Sequence, residues 1–121
     1  MNHIALRVSS LENYKKFLKE VFDYQETETI ESEEGRFTIC FMDKNKSGSI
    51  ELIKNWDEIF ITKGRNLSHF GFTVENYNEF KKKIIDLGYA ILEENTKPSG
   101  LLQLYISDPD GTPIEVNEAR Q

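Results

Sequence analysis

The feature that most constrains this chain is that it contains itself twice. Sliding the sequence so that His3 meets His69 aligns His3-Ile4-Ala5-Leu6-Arg7-Val8 with His69-Phe70-Gly71-Phe72-Thr73-Val74. Both stretches alternate apolar with less apolar residues, the period of a half-buried strand. Beyond them, Leu11, Tyr14, Leu18 and Val21 fall on Tyr77, Phe80, Ile84 and Leu87, and Lys15-Lys16 on Lys81-Lys82. That spacing predicts an amphipathic helix after each strand. Ser9 three residues before Glu12 and Asn76 three before Glu79 read as helix-start caps, and Gly88 suits a left-handed stop. Asp23, near the equivalent place in the first copy, is expected to be a poorer stop.

Three further strands are expected in each copy: Gln25 to Glu31, Arg36 to Met42 and Ser49 to Ile53, then Tyr89 to Glu93, Leu101 to Ser107 and Pro113 to Asn117. Turn-forming residues separate them at Glu34-Gly35, Asn45-Lys46-Ser47-Gly48, Pro98-Ser99-Gly100 and Asp108-Pro109-Asp110-Gly111. The expectation is an α+β fold of two βαβββ modules, residues 1–55 and 68–118, joined by 56–67 with a helical turn around Trp56 to Phe60. One helix per module covers one sheet face and leaves the other for a partner or ligand.

The remaining composition narrows the partners. With 121 residues the chain has the size of a single domain. Fifteen Lys and Arg against 21 Asp and Glu give a net charge of -6, which argues against nucleic acid and membrane surfaces. No apolar run approaches the roughly 20 residues of a spanning helix. The start, Met1 to Arg7, lacks the marks of an export signal, so a cytoplasmic location is expected. The single cysteine, Cys40, excludes an internal disulfide framework and reads as a small buried hydrophobe.

The only two histidines, His3 and His69, occupy equivalent places in the two copies. The closing strands match as well, Ile50-Glu51-Leu52 with Ile114-Glu115-Val116. Strand alternation sends Ile4, Leu6, Val8, Ile50 and Leu52 beneath the helix and turns His3 and Glu51 to the opposite face. The same reasoning turns His69 and Glu115 away from Phe70, Phe72, Ile114 and Val116. Taken singly, a strand Glu is ordinarily solvated and a lone His structural. Their joint repetition points instead to two imidazoles and two carboxylates converging on a borderline divalent ion such as Zn, Ni, Co or Fe.

At these residues the sequence resembles the vicinal oxygen chelate superfamily and, within it, glyoxalase I of the short bacterial type. The resemblance runs from His3 to about Glu118. It rests on His3-Ile4-Ala5-Leu6-Arg7-Val8, Glu51-Leu52-Ile53-Lys54-Asn55-Trp56, Ser68-His69-Phe70-Gly71, and Asp108-Pro109-Asp110-Gly111 before Ile114-Glu115. It implies a lyase isomerising the hemithioacetal of methylglyoxal and a thiol, with a divalent metal (Ni, Zn or Co) held by His3, Glu51, His69 and Glu115. Glu115 would be the catalytic base, with Glu51 able to serve the opposite face of the substrate. Arg7 and Asn55 lie where the family contacts the thiol carrier; Arg65 and Lys97 are further candidate substrate contacts. The resemblance also implies a homodimer in which the halves of different chains pair. A methylmalonyl-CoA epimerase and a non-catalytic small-molecule-binding member are the alternatives. Phe17-Leu18 and Phe22-Asp23 stand where the family helix usually carries Phe-Tyr and Leu-Gly.

Overall fold

The computed structural model describes residues 3–45, 48–57 and 69–120. The chain divides into two compact units, Met1–Thr62 and Lys63–Gln121. The first runs β1 (His3–Arg7), α1 (Leu11–Phe22), β2 (Gln25–Glu31), β3 (Phe37–Asp43) and β4 (Ser49–Asn55). The second repeats the order as β5 (Phe70–Val74), α2 (Tyr77–Asp86), β6 (Ile91–Thr96), β7 (Leu102–Ser107) and β8 (Pro113–Glu118). Each unit forms one four-stranded sheet, ordered β1-β4-β3-β2 in the first and β5-β8-β7-β6 in the second. The first strand of each pairs parallel with the last, and the other pairings are antiparallel. The parallel pairing follows from the helix, which returns the chain across one sheet face. The duplication extends to irregularities, since the register slips between Glu26 and Glu28 and again between Ile91 and Glu93.

In the first unit α1 lies against β2, β3 and β4. It buries Tyr14, Phe17, Leu18, Val21 and Phe22 over Val8, Cys40, Met42, Ile50 and Leu52. Edge-to-face contacts join Tyr14 to Phe17 and Phe17 to Phe22. In the second unit Tyr77, Phe80 and Ile84 are the buried residues of α2, and Leu104, Ile106, Ile114 and Val116 are those of the sheet. Glu94 on β6 accepts from the Tyr77 hydroxyl at 2.7 Å and from Lys81 Nζ at 2.8 Å, tying helix to sheet.

Several strand ends shift by one to three residues from expectation, β6 the most, at Ile91–Thr96 rather than Tyr89 to Glu93, and two helix-end expectations change. The α1 cap is Ser10, not Ser9: Ser10 is extended, at φ -139° and ψ 117°, and its hydroxyl accepts from the Asn13 backbone N–H. Burial of Tyr14, Phe17, Leu18 and Val21 sets the helix phase, and the residue just outside it becomes the cap. Asp23 adopts the left-handed conformation at φ 60°, a full counterpart of Gly88 at φ 91°, which Asp tolerates better than most side chains. Asn76 caps α2 as expected, accepting from the Glu79 N–H. Cys40 is buried beside Met42, Sγ to Sδ 3.7 Å; burial raises its thiol pKa and keeps it unreactive. Trp56 and Asp57 form a turn, and the rest of the expected helical turn, residues 58–60, lies outside the described residues.

Candidate functional site

In each unit the last strand, which pairs parallel with the first, delivers a glutamate beside a histidine. Register pairs Ala5 with Glu51 and Gly71 with Glu115, so each His stands two residues from the position opposite its Glu, on the same face. Burial alternates as this requires: Ile50 and Leu52, like Ile114 and Val116, are buried, while Glu51 and Glu115 are half-buried. His3 Nε2 lies 3.0 Å from Glu51 Oε2, with the imidazole side chain 51% and the carboxylate side chain 20% exposed. His69 Nε2 lies 3.7 Å from Glu115 Oε1.

These spacings bear on metal binding. Two donors about 2.1 Å from one ion, at right to tetrahedral angles, stand about 3.0–3.4 Å apart. The first pair meets that spacing, and the second needs a shift of a few tenths of an ångström. The donor set, one imidazole nitrogen and one carboxylate per unit, suits a borderline divalent ion. Among the described residues no three of His, Cys, Asp and Glu gather as one group able to hold a metal; each unit by itself carries one His–Glu pair.

The two pairs differ in what surrounds the glutamate. Glu115 Oε1 accepts from the Tyr105 hydroxyl at 2.7 Å and Oε2 from Asn117 Nδ2 at 2.8 Å. Gln103 Nε2 donates to Asn117 Oδ1 at 3.1 Å, fixing the orientation of that amide. The His69 ring meets Tyr105 edge-on, centroids 5.8 Å apart. The bonds from Asn117 and Tyr105 hold the Glu115 carboxyl below its ordinary pKa, with the charges of His69 and Lys97 adding to them against partial desolvation. The same bond to Glu115 raises the Tyr105 phenol. Tyr105, Asn117 and Gln103 were not singled out from sequence. Asn117 was within reach, two residues past Glu115 on one strand face, and Tyr105 follows once the β7–β8 hairpin is given its register.

Of the expected substrate contacts, Arg7 lies on the His3 face of β1, exposed and without an ion pair among the described residues. Asn55 ends β4 on the Glu51 face, half-buried. Lys97 follows β6 and its charge favours ionised Glu115. Arg65 lies outside the described residues. Trp56 donates from Nε1 to Thr38 Oγ1 at 2.8 Å.

Residues 2–103 match the family described as the Glyoxalase/Bleomycin resistance protein/Dioxygenase superfamily. The chain belongs to this superfamily. Among solved structures similar to this superfamily member is a trypanothione-dependent glyoxalase I from Leishmania major, 24% identical at TM-score 0.84, covering 98% of this chain and 85% of that one. A V278E variant of glyoxalase I from Zea mays is 21% identical at TM-score 0.87, covering 100% of this chain and 45% of that one. A glyoxalase family protein from Enterococcus faecalis is 19% identical at TM-score 0.82, covering 98% and 96%. At these identities the likeness is one of fold. No curated protein matches the chain significantly. Superfamily members include glyoxalases, other enzymes and non-catalytic binders, and commonly bind divalent metals. Among the described residues, no helix is long and apolar enough to cross a membrane.

Proposed function

We propose that this protein is a metal-dependent, glyoxalase I-like lyase that isomerises the hemithioacetal of methylglyoxal and a low-molecular-weight thiol to an S-lactoyl thioester. The observation that carries the reading is the duplicated His–Glu pair at equivalent strand positions, with a donor spacing that suits chelation of one ion in the first pair and lies a few tenths of an ångström wide of it in the second. His3 and Glu51 of one chain are proposed to meet His69 and Glu115 of a second copy in a homodimer, around Ni, Zn or Co. When bound, the ion supplies a Lewis acid for the oxyanion charge that develops as the enediolate forms.

The chain's own residues would do the rest. The two imidazoles act as neutral donors. The carboxylates Glu115 and Glu51 take the proton from the carbon bearing sulfur and return it to the neighbouring carbonyl carbon, while the hydroxyl proton passes from the oxygen on the first carbon to the oxygen on the second, so that the reaction is a net isomerisation. Arg7, Asn55, Arg65 and Lys97 orient the anionic thiol carrier. The test is thioester absorbance after adding methylglyoxal with glutathione, and then with another small thiol, to metal-loaded protein. Thioester formation is the expected result. Silence with both thiols in protein that carries metal overturns the substrate assignment and directs attention to proton transfer on a thioester, as in an epimerase.

A further inference from the structure

The two glutamates occupy equivalent strand positions but are held very differently, and the difference is written in the residues across the sheet from them. Opposite Glu115 on β7 stands Tyr105; opposite Glu51 on β3 stands Phe41, which has no hydroxyl to offer. Two residues along the strand, Glu115 has Asn117 and Glu51 has Ile53. Both oxygens of Glu115 are therefore engaged by the protein, one by Tyr105 and one by Asn117, and Gln103 holds Asn117 in turn. Among the described residues, Glu51 has one polar partner, His3. A carboxylate tethered at both oxygens keeps one rotamer; one tethered through a single exposed imidazole does not.

We infer that Tyr105 and Asn117 are positioning residues that hold the Glu115 carboxylate in one orientation, a support that Phe41 and Ile53 do not give Glu51. This role rests on the four-donor reading above and deepens it: the second pair presents its carboxylate already oriented for an ion.

The experiment has two readouts on wild type, Tyr105→Phe and Asn117→Ala. The first is NMR relaxation of the Glu51 and Glu115 side-chain methylenes in metal-free protein. Wild-type Glu115 is expected to have the higher order parameter, and each variant to bring it down toward that of Glu51. Equal order parameters in wild type, or no change in either variant, overturn the clamp. The second is Co(II) affinity by titration of the cobalt absorption bands, expected to fall about tenfold or more in each variant with the bands displaced. A fall smaller than about twofold overturns the positioning role. If wild type binds no cobalt, the four-donor reading fails, and the clamp is judged on relaxation alone.

Discussion

Gly71 stands opposite Glu115, and replacing it with alanine tests the crowding of the second half directly. A Cβ built on Gly71 would lie 3.2 Å from Glu115 Cβ, 3.2 Å from the Glu115 carbonyl oxygen and 3.3 Å from Oε2. These contacts are a few tenths of an ångström inside comfortable carbon contact. The carbonyl belongs to β8, which is bonded to β5 on one side and β7 on the other, so it cannot retreat without disturbing a ladder. The carboxylate is held by Tyr105 and Asn117. In an unobstructed strand, Gly→Ala stabilises by about 0.5–1 kcal/mol. Overpacking costs about 1–3 kcal/mol, so the net expectation for Gly71→Ala is a loss of about 0.5–2 kcal/mol. That lowers Tm by roughly 3–8 °C for a chain of this size. Thermal and urea unfolding followed by circular dichroism measure it. The first half supplies the control, because the residue opposite Glu51 is already an alanine, Ala5. Ala5→Gly is expected to lose about 0.5–1 kcal/mol. A Gly71→Ala protein more stable than wild type would refute the reasoning, since chain entropy would then outweigh a crowding that the geometry says dominates.

Other outcomes follow from the same structure. Asp43 accepts hydrogen bonds from Ser49 and Thr27, which tie β3 to β4 and β2, and these bonds lower its pKa from the usual 3.8. A depressed folded pKa means that the stabilisation is complete above the unfolded value and is lost as pH falls through the folded one. Thr27→Val is therefore expected to cost roughly 0.5–1 kcal/mol at neutral pH and progressively less below about pH 4, read from urea midpoints across pH. Leu104, next to Tyr105 on β7, is fully buried. Leu104→Ala is expected to lose about 2–5 kcal/mol, by the same assay. Ser10→Ala, which removes the α1 cap, is expected to cost about 1 kcal/mol and Ser9→Ala a few tenths, a contrast that checks which serine does the capping.

Much of this was legible in the sequence because duplication and strand alternation are strong signals. Once His3 and His69 were superposed, the period of two placed Glu51 and Glu115 on the faces away from the helices, and the structure has them there beside their histidines. The α1 cap was misplaced because Ser9 satisfies the serine-to-glutamate spacing, although superposing His3 on His69 also superposes Ser10 on Asn76. Asp23 was read by residue preference alone, whereas the chain needs a left-handed turn there to feed β2 and takes it with an aspartate. Tyr105 escaped because its role depends on which residue of β7 faces Glu115, a register that a strand pattern leaves open until the hairpin turn is fixed. In that turn Asp108 Oδ1 accepts from the Asp110 and Thr112 N–H groups, and that ring of bonds sets the pairing.

The shared-ion claim is tested most directly by metal content. Purified protein loaded with Ni or Zn and freed of excess should retain near one equivalent per chain. His3→Ala and His69→Ala, which remove a nitrogen from opposite halves, should each lower the retained metal to a similar degree. Retention below about a tenth of an equivalent in wild type, or loss on changing one histidine with none on changing the other, would contradict a centre built from both halves.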